Sequence, residues 1–189
     1  MPSFHILIAT LGRPSLQTML NSLYPQLKGC DHITVVFDGC PVQSIDISGA
    51  VCQIHTVSQQ PALGAHGHGI RNAYGSRLER CDFVLHADDD DTYAEGAFDT
   101  LRNVCKNPMC LYIAKFKRPN GELIPPFTGI IKENYIGTPC GIIPFDLNAW
   151  GASQGKWLLR RGGDGKFYEA IAKRAKVRRE LDLVLYYVG

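Results

Sequence analysis

FVLHADDDD, residues 83–91, is the stretch that decides how this chain is read. Phe83, Val84, Leu85 and Ala87 make an apolar run broken by His86 alone, the pattern of a short strand buried on both faces of a sheet. Four carboxylates, Asp88, Asp89, Asp90 and Asp91, begin where that strand must stop. So placed, they repel one another strongly unless a cation or extensive solvation offsets the charge. A hard divalent cation, Mg2+ or Mn2+, takes carboxylate oxygens together with substrate phosphates, so the run can hold a metal that in turn holds a diphosphate. The competing explanation is a solvated acidic loop; the position directly behind a buried strand favours the metal.

Upstream of this stretch, periodicity predicts a strand over Phe4 to Thr10 and a helix from Pro14 to Leu27, where Leu16, Met19, Leu20, Leu23 and Leu27 recur at helical spacing. Strands over Ile33 to Phe37 and Val51 to Val57 follow, then a glycine-rich stretch and a helix from Gly69 to Glu79. Downstream, a helix is expected over Glu95 to Val104 and a strand over Leu111 to Phe116. A hairpin turn at Pro119 to Gly121 precedes a strand over Gly137 to Pro144, a helix over Gly165 to Ala175 and a last strand over Leu181 to Val188. Strands alternating with helices imply an α/β fold with a largely parallel central sheet, covered on both faces through right-handed crossovers. Ligands of such sheets gather beyond the carboxyl ends of the strands.

The 189 residues, 45% hydrophobic and 20% charged, supply one core, so a single domain over 1–189 is expected. Lys and Arg number 20 against 18 Asp and Glu, which leaves no field to hold DNA or RNA by counterion release. No apolar run reaches the roughly 18 residues a membrane span requires, and the first ten residues do not make a signal peptide. Seven cysteines, an odd number without a CxxC pair, fit a reducing cytosol, so a cytoplasmic location is expected.

Asp38 stands at the end of the second strand, where its carboxylate can accept the N3–H of uracil; guanine also offers a ring N–H, whereas adenine and cytosine do not. An ordinary turn around Asp38, Gly39 and Pro41 explains the residue equally well. LGAHGHGIRN, residues 63–72, sets three glycines ahead of a helix, with Arg71 able to reach a diphosphate. It is neither a P-loop nor a GxGxxG fingerprint, and His66 and His68 are expected as exposed loop histidines, not metal ligands. In RRGGDG, residues 160–165, Asp164 reads as an N-cap or as a general base, and both can hold at once, although a capped carboxylate is a weak base. The basic residues between Lys156 and Arg179 make a solvated helix face, or one that attracts an anionic acceptor or a membrane surface in peripheral contact.

Taken in order, these elements resemble a GT-A glycosyltransferase of the family 2 kind over nearly the whole chain. ATLGRP, with Thr10 and Arg13, matches the family's T-x-x-R-like element, and Asp38 matches its base-binding aspartate. GHGIRN, with Arg71 and Asn72, matches the helix that precedes the metal strand. The DxD motif falls on Asp88 and Asp90, or on Asp89 and Asp91; the resemblance assigns the first aspartate to the nucleotide ribose and the last to the metal. GGDGKF gives Asp164 the role of catalytic base. The chain is short for the family and resembles the compact domains of large algal viruses, which implies capsid glycoprotein as acceptor and the host cytoplasm as location. It departs from the family in having glycine after Asp38 and almost nothing beyond the last strand to build an acceptor site.

The resemblance implies a metal-dependent, inverting transferase that moves a sugar from a nucleoside-diphosphate sugar, with UDP as the expected nucleotide, to a hydroxyl of a glycan or glycoprotein. The glycines around 137–141 and 151–155 are expected to form a lid or acceptor wall. Two rivals are a sugar-phosphate nucleotidyltransferase, for which ATLGRPSL is a poor phosphate loop, and an inactive nucleotide- or glycan-binding module.

Overall fold

The structure is a computed structural model, and it describes residues 1–126 and 129–189. The chain runs through β1 (Phe4–Thr10), α1 (Ser15–Leu23), β2 (His32–Asp38), β3 (Gln53–Gln59), α2 (His68–Tyr74) and β4 (Phe83–Asp88). A short β5 (Thr92–Tyr93), α3 (Ala97–Val104), β6 (Cys110–Lys117) and β7 (Leu123–Ile124) follow. A 3-10 turn over Thr138–Cys140 leads into β8 (Gly141–Pro144), α4 (Phe145–Ser153), α5 (Gly163–Arg174) and β9 (Val177–Tyr187).

The strands lie in the order β3-β2-β1-β4-β8-β6-β9-β5, with β7 paired to β6. β1 is parallel to β2 and β4, β2 to β3, and β6 to β9, while β8 runs against both of its neighbours. Six of the nine described strands therefore point the same way, as the alternation of elements predicts, while β8 at the centre and the two-residue β5 and β7 run against them. Reversal has a use: Gly141, the first residue of β8, pairs with Ile113 of β6, so the 3-10 turn before it reaches the edge where β1, β2 and β4 end.

All seven residues of β1 are buried, because side chains that alternate along the strand meet apolar partners on each face. Phe4, Ile6 and Ile8 join Leu16, Met19, Leu20 and Leu23 of α1 and Phe98 and Leu101 of α3. Leu7 and Ala9 pack with Val36, Val84 and Ile70 of α2 on the other face. Each such side chain contributes about 1.5–3 kcal/mol through burial. Arg102 of α3 reaches Asp31, a fully buried carboxylate that also accepts the Phe4 and Lys28 amide N–H groups, which ties the helix to the start of β1.

Several boundaries differ from expectation for identifiable reasons. α1 stops at Leu23 instead of Leu27, because Pro25 lacks an N–H and disfavours helical backbone before it. α2 ends at Tyr74, where Gly75 packs its bare Cα against Ala152 of α4. β3 lies two residues later than predicted, at Gln53–Gln59, and Thr138 to Cys140 form the 3-10 turn, preceded by Gly137 as its cap, and not the strand. α4 has no counterpart in the sequence reading. Its buried positions are Asn148, Gly151 and Ala152, so no apolar stripe announces it. Gly151 and Ala152 are inside that buried helix, with Gly151 against Phe167, which excludes the helical part of 151–155 from any lid.

Candidate functional site

The glycine-rich segment between β3 and α2 has an unusual backbone. Gly64, Ala65, His66 and Gly67 all have positive φ, at 62°, 55°, 56° and 76°. For Ala65 and His66 this left-handed geometry costs roughly 1–2 kcal/mol per residue, so something must hold it. Asp38, at the end of β2, accepts the amide N–H of Leu63 at 2.6 Å on one carboxylate oxygen and that of Gly64 at 2.7 Å on the other. From beneath, Arg71 of α2 donates through Nη1 to the His66 carbonyl at 2.9 Å.

The loop forms one wall of a pocket of about 450 Å³, whose other walls are Thr10, Arg13, Asp38, Asp88, Asp89 and Asp90. A second pocket of about 360 Å³ lies alongside, lined by Asp88, Asp90, Asp91, Arg118, Asn134, Thr138, Arg161 and Asp164. Asp88 and Asp90 line both.

The four aspartates alternate in environment, as residues leaving a strand do. Asp89 is buried, accepts the Thr10 hydroxyl at 2.6 Å on Oδ2 and has Arg13 3.4 Å from Oδ1. Asp91 is buried and accepts the Gly189 N–H at 2.9 Å. Burial, with the Asp88 and Asp90 charges adding to it against the Gly189 hydrogen bond, pushes the Asp91 carboxyl up to about 7. Asp88 is partly open and takes Arg71 Nη2 at 2.5 Å, while its amide donates to the Tyr186 hydroxyl at 3.0 Å. Asp90 is half exposed and pairs with Arg13. The two carboxylates turned toward both pockets are thus Asp88 and Asp90.

That donor set suits a hard divalent cation. Among the described residues no three His, Cys, Asp or Glu side chains group into a cage. Mg2+-type sites do not require one, since one or two carboxylates plus substrate phosphates and water complete them. Asp88 and Asp90, half-open carboxylates at the seam of two pockets, supply oxygens of that kind.

Arg71 sits differently from what its motif suggests. It is fully buried and does not line the pocket: its guanidinium holds Asp88, the His66 carbonyl and the Ala87 carbonyl, and lies 5.3 Å from the Trp157 ring centroid. It acts on a ligand through Asp88 and the loop. Asp164 is not an N-cap. α5 begins at Gly163, capped by Gly162 at φ 77° with no side-chain cap bond, and Asp164 Oδ1 accepts the Gly165 N–H at 2.8 Å while the side chain lines the second pocket. His66 is exposed as expected, but His68 is buried, with Nδ1 2.8 Å from the Leu158 carbonyl oxygen.

A ring cluster that sequence reading did not single out joins β4 to α5. Trp157 stacks on Phe167 of α5 at 4.0 Å between ring centroids and receives the edge of His86 of β4 at 4.9 Å. Asn72 fixes its backbone, donating to the Trp157 carbonyl at 2.7 Å and accepting its N–H at 3.2 Å. His86, fully buried against Asn148, is held neutral with its pKa lowered to about 3, by desolvation first and the Arg71 charge second. Asn72 beside Arg71 and the isolated Trp157 were the available signals.

Three solved structures share this architecture. S. aureus TarS 1-349 superposes with a TM-score of 0.71 at 20% identity, covering 99% of this chain and 60% of that one. The fold is GT-A-like. S. aureus TarS gives 0.70 at 21% identity over 99% of this chain and 36% of that one. S. aureus TarS 1-349 in complex with UDP-GlcNAc gives 0.70 at 18%, over 100% and 58%. This chain therefore spans less than two thirds of the length of each. No protein-family model matches the sequence, and no curated protein does. No helix among the described residues is long and apolar enough to cross a membrane.

Proposed function

We propose that the chain is a metal-dependent, inverting glycosyltransferase that takes a uridine-diphosphate sugar as donor and a hydroxyl of a glycan or glycoprotein as acceptor. The observation that carries this reading is the seam: two pockets meet along Asp88 and Asp90, and Asp164 lies in the second. The GT-A-like fold and a neighbour crystallised with UDP-GlcNAc support it. The likeness to compact domains of large algal viruses adds a capsid acceptor and the host cytoplasm as location to this reading, on the sequence resemblance.

In this reading the first pocket takes the nucleotide, between Thr10, Arg13 and the loop that Asp38 holds. Asp38 already binds two backbone N–H groups, and each oxygen keeps a lone pair for a base N–H. Asp88 and Asp90 would hold Mn2+ or Mg2+. Such an ion supplies Lewis-acid stabilisation of charge on the departing diphosphate. Asp164 takes the proton of the acceptor hydroxyl as its oxygen bonds to the anomeric carbon and the carbon–oxygen bond to phosphate breaks on the opposite face. Arg71 and Trp157 position Asp88.

The test is a panel of nucleotide sugars incubated with the protein and Mn2+, with and without chelator, reading released nucleoside diphosphate. Chelator-sensitive release from a uridine donor is expected. No release from any donor would sink the transferase reading; release of pyrophosphate from a sugar phosphate and a nucleoside triphosphate would move it to nucleotidyl transfer.

A further inference from the structure

The loop between α4 and α5 turns its side chains in opposite directions. Trp157 is fully buried, yet its neighbours Leu158 and Leu159 are 38% and 63% exposed. They do not hang on a slack chain: the Leu158 carbonyl is bound by His68, and Arg160 forks onto Glu133 through both guanidinium nitrogens. Two adjacent apolar side chains held at the surface on an anchored loop are available to a contact.

Lys156, at the start of the same loop, belongs to a surface that is one-sided in charge. A shallow basin on the α4–α5 face is lined by Trp150, Lys156, Lys166, Glu169, Lys173 and Arg174, four cations against one carboxylate. That local excess is larger than the formal net charge of +2 carried by the whole chain. Arg174 and Lys156 flank the half-buried Trp150 ring at 4.7 and 5.8 Å from its centroid. An aromatic ring at the rim, snorkelling cations and projecting leucines are the composition of a surface that lies on a bilayer, with cations on anionic headgroups and leucines among the acyl chains. A soluble polyanion would use the cations and leave the leucines wet.

We infer that the 156–161 loop and the α5 basin form a peripheral docking site for an anionic membrane surface. The same loop ends at Arg161 and Gly162, which line the second pocket, so docking brings that pocket to the bilayer surface. The membrane contact stands on its own residues; its consequence, that the acceptor is presented at a membrane, rests on the transferase reading.

The experiment is co-sedimentation of the full chain with vesicles of phosphatidylcholine alone and of phosphatidylcholine with phosphatidylglycerol, at low and high salt. Dextran sulfate serves as a soluble polyanion competitor. Wild type is expected to bind the mixed vesicles and not the neutral ones. Leu158→Glu with Leu159→Glu, and separately Lys156→Glu with Lys173→Glu, should each lower the partition coefficient by about tenfold or more. Leu159→Glu alone is the second variant should the double change fail to fold, and Tm reports folding. No preference for anionic vesicles, or wild-type partitioning by a folded leucine variant, would overturn the inference; dextran sulfate binding unaffected by the leucine changes, together with no vesicle binding, would reassign the basin to a polyanion. Stabilisation of the same proteins by UDP is read in parallel. Its absence alongside intact vesicle binding would sink the transferase reading and leave the docking site standing.

Discussion

Replacing Asp38 by Asn tests what holds the left-handed loop. The native carboxylate accepts two backbone N–H groups, one on each oxygen. An amide accepts one and turns its own NH2 toward the other, so one charge-assisted bond becomes neutral and one donor faces a donor. The exchange loses about 1.5 kcal/mol on the first count and roughly 1–3 kcal/mol on the second. The strain to be held at Ala65 and His66 is about 2–4 kcal/mol together. The two quantities are comparable, so the loop should leave its pocket-forming conformation in a large fraction of molecules. A ligand that needs the closed loop then binds about 10- to 100-fold more weakly. Tm should fall by only a few degrees, because a surface loop opens without unfolding the sheet. Calorimetric titration with UDP, GDP, CDP and ADP separates the two roles of Asp38. Loss across all four ligands is the loop effect, whereas loss confined to UDP and GDP with unchanged Tm is base recognition. Wild-type affinity for UDP and unchanged Tm in the Asn variant would refute the reasoning altogether.

Asp164→Asn keeps an oxygen to accept the Gly165 N–H, so Tm should barely move while sugar transfer falls by about 10²- to 10⁴-fold; turnover within a few-fold of wild type would remove Asp164 as base. Asp90→Asn, or excess chelator with the native chain, should abolish most turnover, and a variant fully active in Mn2+ would show that the seam does not hold a cation. Arg71→Met leaves Asp88 without its buried partner, at about 3 kcal/mol, the low end for a broken pair since Asp88 is one third exposed; urea unfolding midpoints check it, and an unchanged midpoint refutes it. His5 and His86 have folded pKa values lowered to about 4 and about 3 by burial, against 6.5 in the unfolded chain. The unfolded state takes the proton first, so their contribution is complete above pH 6.5 and is lost as pH falls toward 4 and 3. Each costs about 1.4 kcal/mol per pH unit in that window, and a flat urea stability between pH 6.5 and 5 would contradict it.

Much of the frame was legible in the sequence because strand burial and helix periodicity leave direct traces. Phe4 to Thr10 was read to the residue, and the acidic run was placed at the end of β4. The alternation within that run was not legible: it depends on Thr10, on Arg71, and on Tyr186 and Gly189, which arrive from three distant parts of the chain. Arg71 carried the right motif and a less direct contact, since a sequence cannot say whether a guanidinium meets a ligand or the carboxylate beside it. α4 was invisible because a helix packed between neighbours, with Asn148, Gly151 and Ala152 as its buried residues, has no amphipathic stripe.

The stack of His86, Trp157 and Phe167 has a consequence for how such a protein can change. It runs from the strand that carries Asp88 to the helix that carries Asp164, so a change of ring volume there would shift one element against the other. Rings do not stretch. Pocket-lining side chains at the rim, Asn134 and Arg118 among them, are free to vary with the molecule they face, while the spacer behind them tolerates almost no change of volume. Diversity of substrate and constancy of geometry are thereby assigned to different residues, and a search for altered specificity should draw its library from the rim and leave the rings alone.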